Sequence, residues 1–276
     1  MFPEAREISL VLLFFKTLLF RWYVFFFLFL GFWFLLRQVG KSGASVRFLL
    51  SFFASYLCEW SSSLPSGWFP FGHYTYLPTT RGEEIWVGHL PLMDFLSFSF
   101  LMVASLGVAS RVWGVSIGEA LSCPIKLTWP VFFLADILFF GIDMVIDPVA
   151  LRGNRWFLGQ IYYYPEGGSY FGVPLANFAG WAILGLMILF LWRGLSFFIP
   201  VMKTKKKTSE ILTVIDLWGA TFLWFSVYLF NLCVALYLGE FFLFLSDLIV
   251  FVSLIFIAFF IKKIVRGPFL APFFSK

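Results

Sequence analysis

The chain of 276 residues is 61% hydrophobic and 23% aromatic, with only 13% charged residues and a mean hydropathy of +0.91. That balance excludes a soluble domain and a disordered chain, because the apolar runs are long enough to cross a bilayer. The net charge of +5 is small and gathers in short loops, which in a membrane protein is a topology signal and not a nucleic-acid footprint.

Hydropathy predicts an all-α, polytopic membrane protein: a single integral membrane domain over 1–276, with its motifs concentrated between about 59 and 181. Seven spans are drawn at roughly 12–36, 46–60, 88–110, 127–149, 172–198, 211–238 and 241–261. Re-entrant or capping loops are expected on the non-cytoplasmic side. At the N-terminus Glu4, Arg6, Glu7 and Lys16 interrupt the pattern, and no small-residue cleavage site follows. We read a retained first helix whose residues before Arg21 lie along the interface.

The second span ends on Glu59, where the helix dipole disfavours a negative charge, so this glutamate needs a reason to be there. The segment PFGHYTY that follows supplies Tyr74 and Tyr76. Asp94 opens span three. Span four then carries Asp136, Asp143 and Asp147 at i, i+7 and i+11. At about 100° per residue the three lie within roughly 40° of one another around the helix. Carboxyl groups inside a bilayer are costly, and such a stripe marks a functional site by default. A carboxyl deep in low dielectric resists ionising and suits a general acid. Asp143 is therefore the better acid, while Asp147, just before Pro148, sits toward the helix boundary as its partner. Asp136, nearer mid-span, is expected to bridge helices.

Loop four, YYYPEGGSYFGVPLANFAGW, contains Glu166 and three glycines. Non-helical backbone at membrane depth must be buried in protein or line a cavity. This loop reads as a cap over a pocket, with Asn177 pointing in from the first turn of span five. Leu238-Gly239-Glu240 forces the last two spans into an antiparallel hairpin. Asp216 reads as a helix-start residue, and Asp247 as a candidate for the same carboxyl cluster.

Thirteen basic residues fall on one side of this arrangement: Arg37, Lys41, Arg47, Arg111, Lys126, Lys203, Lys205, Lys206, Lys207, Lys262, Lys263, Arg266 and Lys276. Four fall on the other: Arg6, Arg81, Arg152 and Arg155. The positive-inside rule then places the chain in the cell membrane with its N-terminus outside and its C-terminus in the cytoplasm. Cys58, Cys123 and Cys233 show no metal spacing, and two histidines are too few for a di-iron oxygenase. No haem, dinucleotide or P-loop motif occurs, so neither a metal nor another cofactor is expected.

The segments PFGHYTY (70–76), DMVIDPVAL (143–151) and GSYFGVPLANFAGW (168–181) resemble the membrane carotenoid-biosynthesis family that contains the carotenoid 1,2-hydratases, of the bisanhydrobacterioruberin hydratase and gamma-carotene 1'-hydroxylase type. The resemblance runs from about Glu59 to Trp181 and departs from the pattern at the WSSS after Glu59 and at Asp94. It implies addition of water to the terminal isoprenoid double bond of an acyclic carotenoid. Asp143 would donate the proton, and Glu59 or Asp147 would orient the water. Aromatic faces would stabilise the tertiary cation. The residues expected to bind substrate are Tyr74, Tyr76, Trp156, Tyr163, Tyr164, Glu166, Tyr170, Asn177 and Trp181. Partners would be the polyene within the bilayer, membrane lipids and other carotenoid enzymes, with no nucleic acid.

Three other readings fit parts of the pattern. An end-group cyclase would use the same protonation with an internal alkene as the trap. An intramembrane prenyltransferase would use DMVID as a DxxxD, although a second such motif is missing. A non-enzymatic transporter would use the carboxyl stripe as a proton relay.

Overall fold

The computed structural model describes residues 9–122, 125–199, 201 and 210–266, with the backbone alone over 125–128 and at 266. Glu4, Arg6, Glu7, Cys123, Lys203, Lys205, Lys206, Lys207, Lys276 and the side chains of Lys126 and Arg266 lie outside the described residues.

The chain is an all-helical, polytopic membrane protein. The elements run α1 (Leu10–Phe20), α2 (Trp22–Ser62), β1 (Thr75–Tyr76), β2 (Trp86–Val87), β3 (Leu90–Pro91), α3 (Leu92–Trp113), α4 (Ile117–Ser122), α5 (Ile125–Ala150), β4 (Tyr162–Tyr163), α6 (Leu175–Phe198), α7 (Glu210–Tyr237) and α8 (Phe241–Arg266). Among the described residues six helices are long and apolar enough to cross a membrane. The sequence predicts seven spans, and the difference lies in α2, whose 41 residues combine the first two. Gly40 sits inside α2 at φ 80° and ψ 169°, a conformation that glycine alone adopts without strain. The chain folds back there. The rings of Phe32 and Phe48 meet at 5.2 Å between centroids, whereas a straight helix would set them about 24 Å apart along its axis. Tyr23 and Glu59, from the two ends of α2, consequently line one cavity.

The remaining long helices alternate in direction. Lining residues come from the start of α3, the end of α5, the start of α6 and the end of α7, so these helix ends meet at one end of the bundle. At the opposite end Arg37 makes a two-pronged ion pair with Asp216, whose second contact is 2.8 Å. There too Arg47 donates to Trp192 O and to Ser196 Oγ near the end of α6. α3 is the central helix and packs against α2, α5 and α7. α8 is peripheral and turns Ile249, Val252, Phe256 and Phe259 outward, as a helix facing lipid does.

Two loops cover the cavity end. They are tied to each other by the antiparallel pairing of β1 with β4, Thr75 opposite Tyr163 and Tyr76 opposite Tyr162. Arg21 anchors the first loop to the turn between α1 and α2 through a fully buried pair with Glu84 at 2.6 and 2.9 Å, and it also donates to Leu158 O. The second loop is held to the α7–α8 turn by Glu240, which pairs with Arg152 at 3.0 Å and with Arg155. These arginines hold the Glu240 carboxyl below its ordinary pKa, the hydrogen bond from Arg152 contributing most. The capping loops expected from the glycine-rich sequence are thus built as a two-stranded lid over the helix ends. The Pro70–Phe71 turn packs onto α6 at Gly180, where even a methyl group would come within 2.6 Å of Pro70 O and 2.7 Å of Phe71 Cα.

Candidate active site

Beneath the lid lies a cavity of about 140 Å³. Its polar wall is made of carboxyl groups gripped by phenols. Strand geometry explains why. Successive side chains on a strand point to opposite faces, so Tyr74 and Tyr76 face inward together, as do Tyr162 and Tyr164 across from them. The hydroxyls of Tyr74 and Tyr76 both donate to Glu59 Oε2, the second at 2.7 Å. Those of Tyr162 and Tyr164 donate to Asp147 Oδ1 and Oδ2 at 2.7 and 2.6 Å. Burial pushes all four phenols well above their ordinary pKa, and the neighbouring carboxyl groups push them further. They therefore stay protonated as donors across the physiological range.

Asn177, in the first turn of α6, joins the two aspartates of α5. Its Nδ2 donates to Asp143 Oδ2 at 2.7 Å and to Asp147 Oδ2 at 2.8 Å. Asp143 is fully buried and its Oδ1 has no hydrogen-bond partner. Asp94 completes the carboxyl wall from the start of α3. The apolar walls are largely aromatic. Trp181 lies between Phe98 and Phe139, with centroids at 4.5 and 4.9 Å. Tyr23 stacks on Phe230 at 5.6 Å, and Phe230 touches Trp156. Among the described residues no group of three or more His, Cys, Asp and Glu side chains is disposed to hold a metal ion.

Family comparison decides the broad identity. The model of the carotenoid biosynthesis protein family matches residues 11–246, nearly the whole chain. The chain belongs to the carotenoid biosynthesis protein family. No curated protein and no solved structure matches it.

For this carotenoid biosynthesis protein the structure brings together Glu59, Asp147, Tyr74, Tyr76, Trp156, Tyr164, Asn177 and Trp181, all on the cavity wall. Four of the expected residues stand elsewhere. Asp143 is not on that wall; it stands one helical turn behind Asp147 and reaches the site through Asn177 and Asp147. Tyr163 points out of the lid and is 39% exposed, because its strand neighbours Tyr162 and Tyr164 take the inward face. Glu166 is exposed at the tip of the second loop. Tyr170 turns toward α8, where its hydroxyl meets Ser246 Oγ at 3.0 Å.

Tyr162, which lines the cavity and donates to Asp147, is a wall residue that sequence reasoning missed. The period-two rule applied to YYY would have found it, had the segment been read as a strand. Asp94 and the α7 residue Asn231 also line the cavity, the second with no motif to announce it. Asp136 and Asp247 do not line it. Asp136 is wedged beneath Gly185 between α5 and α6, and Asp247 is buried with both carboxyl oxygens unpartnered. Cys58 is buried and Cys233 exposed, both as free thiols.

Proposed function

We propose that this carotenoid biosynthesis protein is an enzyme that hydrates the terminal isoprenoid double bond of an acyclic carotenoid, giving a tertiary alcohol. One observation carries the reading: a small, aromatic-lined cavity with carboxyl groups on one wall, under a lid, at the end of a membrane bundle. A cavity of about 140 Å³ is close to the size that admits a single six-carbon ring elsewhere, so it takes one end of a polyene and not its body.

Hydration of a trisubstituted alkene needs an acid, a stabilised tertiary cation and a held water. Two carboxyl groups packed as closely as Asp143 and Asp147 share one proton more readily than they carry two charges. Asp147 faces the cavity and delivers that proton, with Asp143 behind it. Glu59, fixed by two phenols, accepts the proton that the water gives up. The faces of Trp181 and Trp156 stabilise the cation by cation–π attraction, which strengthens when water is excluded. No cofactor enters this scheme. The enzyme would sit in the cell membrane with its N-terminus outside and its lid on the outer face.

The test is expression in a host that accumulates acyclic carotenoids, followed by mass analysis of the pigments. We expect the gain of one water per reacted end. Asp147→Asn should accumulate in the membrane like the wild type yet lose hydration by at least about 100-fold, the usual scale for a general acid. Unchanged pigment mass with the wild-type protein would sink the hydratase reading. A product isomeric with the substrate and carrying a ring would replace it with the cyclase.

A further inference from the structure

The polar groups of the cavity are not confined to the carboxyl wall. α7 contributes Val227, Phe230 and Asn231, of which only Asn231 is polar. It is 6% exposed, within the apolar run FLWFSVYLFNLCVALY. Its Nδ2 donates to Val227 O, one turn back, at 2.9 Å. That bond fixes the amide: the opposite assignment would set two acceptors against each other. The oxygen Oδ1 therefore points away from the helix backbone. Among the described residues it accepts no hydrogen bond, and it is not among the polar atoms sealed from open space without a partner. Since the residue lines the cavity, that oxygen opens into it. A buried amide in an apolar helix costs free energy, and its own back-bond to Val227 does not require it, because alanine or leucine would complete the helix equally well.

We propose that Asn231 is the specificity-determining residue of the cavity: its Oδ1 accepts a hydrogen bond from the water that captures the substrate cation. The inference rests on the hydration reading and deepens it. Protonation uses the alkene π pair to form a C–H bond at the less substituted carbon and leaves the tertiary carbon cationic. A water that donates one hydrogen to Asn231 Oδ1 presents a lone pair to that carbon. The C–O bond forms, the other water proton passes to a carboxylate, and the enzyme returns to its starting charge. Without the held water two outcomes of unchanged mass compete. The cation loses a neighbouring proton and the double bond shifts, or an internal alkene closes a ring upon it.

The experiment compares the full-length wild type with Asn231→Leu, Asn231→Ala and Asn231→Gln in a carotenoid-accumulating host. It reads the ratio of hydrated product to isomers of substrate mass, with the amount of protein in the membrane measured alongside. We expect that ratio to fall on the order of tenfold in Asn231→Leu, the effect of losing one buried hydrogen bond, and to recover in part in Asn231→Gln. Should the leucine variant fail to accumulate, Asn231→Ala, which only removes atoms, carries the same comparison. A wild-type ratio in an accumulating leucine or alanine variant overturns the role of Asn231 while leaving the hydratase reading intact. A wild type that adds no water overturns both.

Discussion

At the scale of single residues, the site depends on which way adjacent side chains point. Tyr162 and Tyr163 are chemically identical neighbours, yet one holds Asp147 at 2.7 Å and the other is 39% exposed. A hydrogen bond that positions a protonated acid contributes about 1 kcal/mol, which corresponds to roughly fivefold in rate where that acid acts in the reaction. Tyr162→Phe should lower hydration by about that factor, while Tyr163→Phe leaves it within twofold, both measured as pigment converted per unit of membrane protein. Equal effects would mean that the phenol grip on Asp147 has no part in turnover. The aspartate pair was legible in the sequence because helical periodicity is local. The split of YYY into inward and outward residues was not, because it follows from a strand pairing with a distant segment.

At the scale of elements, hydropathy placed the long helices well, the first two included, since α2 reverses at Gly40 between them. Residues on both sides of Gly40 continue helical hydrogen bonding, and only the backbone of that glycine breaks the line. Reversal there is what brings Tyr23 and Glu59 to the same cavity. A side chain at φ 80° and ψ 169° costs about 1–3 kcal/mol. Gly40→Ala should therefore lower the thermal midpoint of the detergent-solubilised protein by several degrees. An unchanged midpoint would show that the fold-back does not depend on that conformation. Where spans three and five begin was also misjudged by a few residues. Their opening turns are spent on lid structure, in β3 and the Pro174 turn, which hydropathy cannot separate from helix.

For the whole molecule, the bundle has two chemically different ends. One carries the lid, the tyrosines and the carboxyl groups. The other carries Arg37, Lys41, Arg47 and Arg111. The count of basic residues in the loops gives the expected sidedness, and a membrane-impermeant thiol reagent can read it. Single cysteines introduced at Ser169, exposed in the lid, and at Lys41, exposed at the opposite end, should label from opposite faces of the membrane in a background with the native cysteines replaced. The lid position should label in intact cells. Labelling of Lys41→Cys alone in intact cells would reverse the orientation and move the chemistry to the cytoplasmic side.

The volume of the cavity bears on how a long, two-ended pigment is handled. A space of about 140 Å³ admits one terminus at a time. A symmetric polyene must therefore back out, turn end for end in the bilayer and return before its second terminus can react. Under the proposed function processing would then be distributive, with the singly modified pigment a released intermediate that competes with fresh substrate. The proportion of one-ended product in the membrane would then follow the ratio of enzyme to pigment.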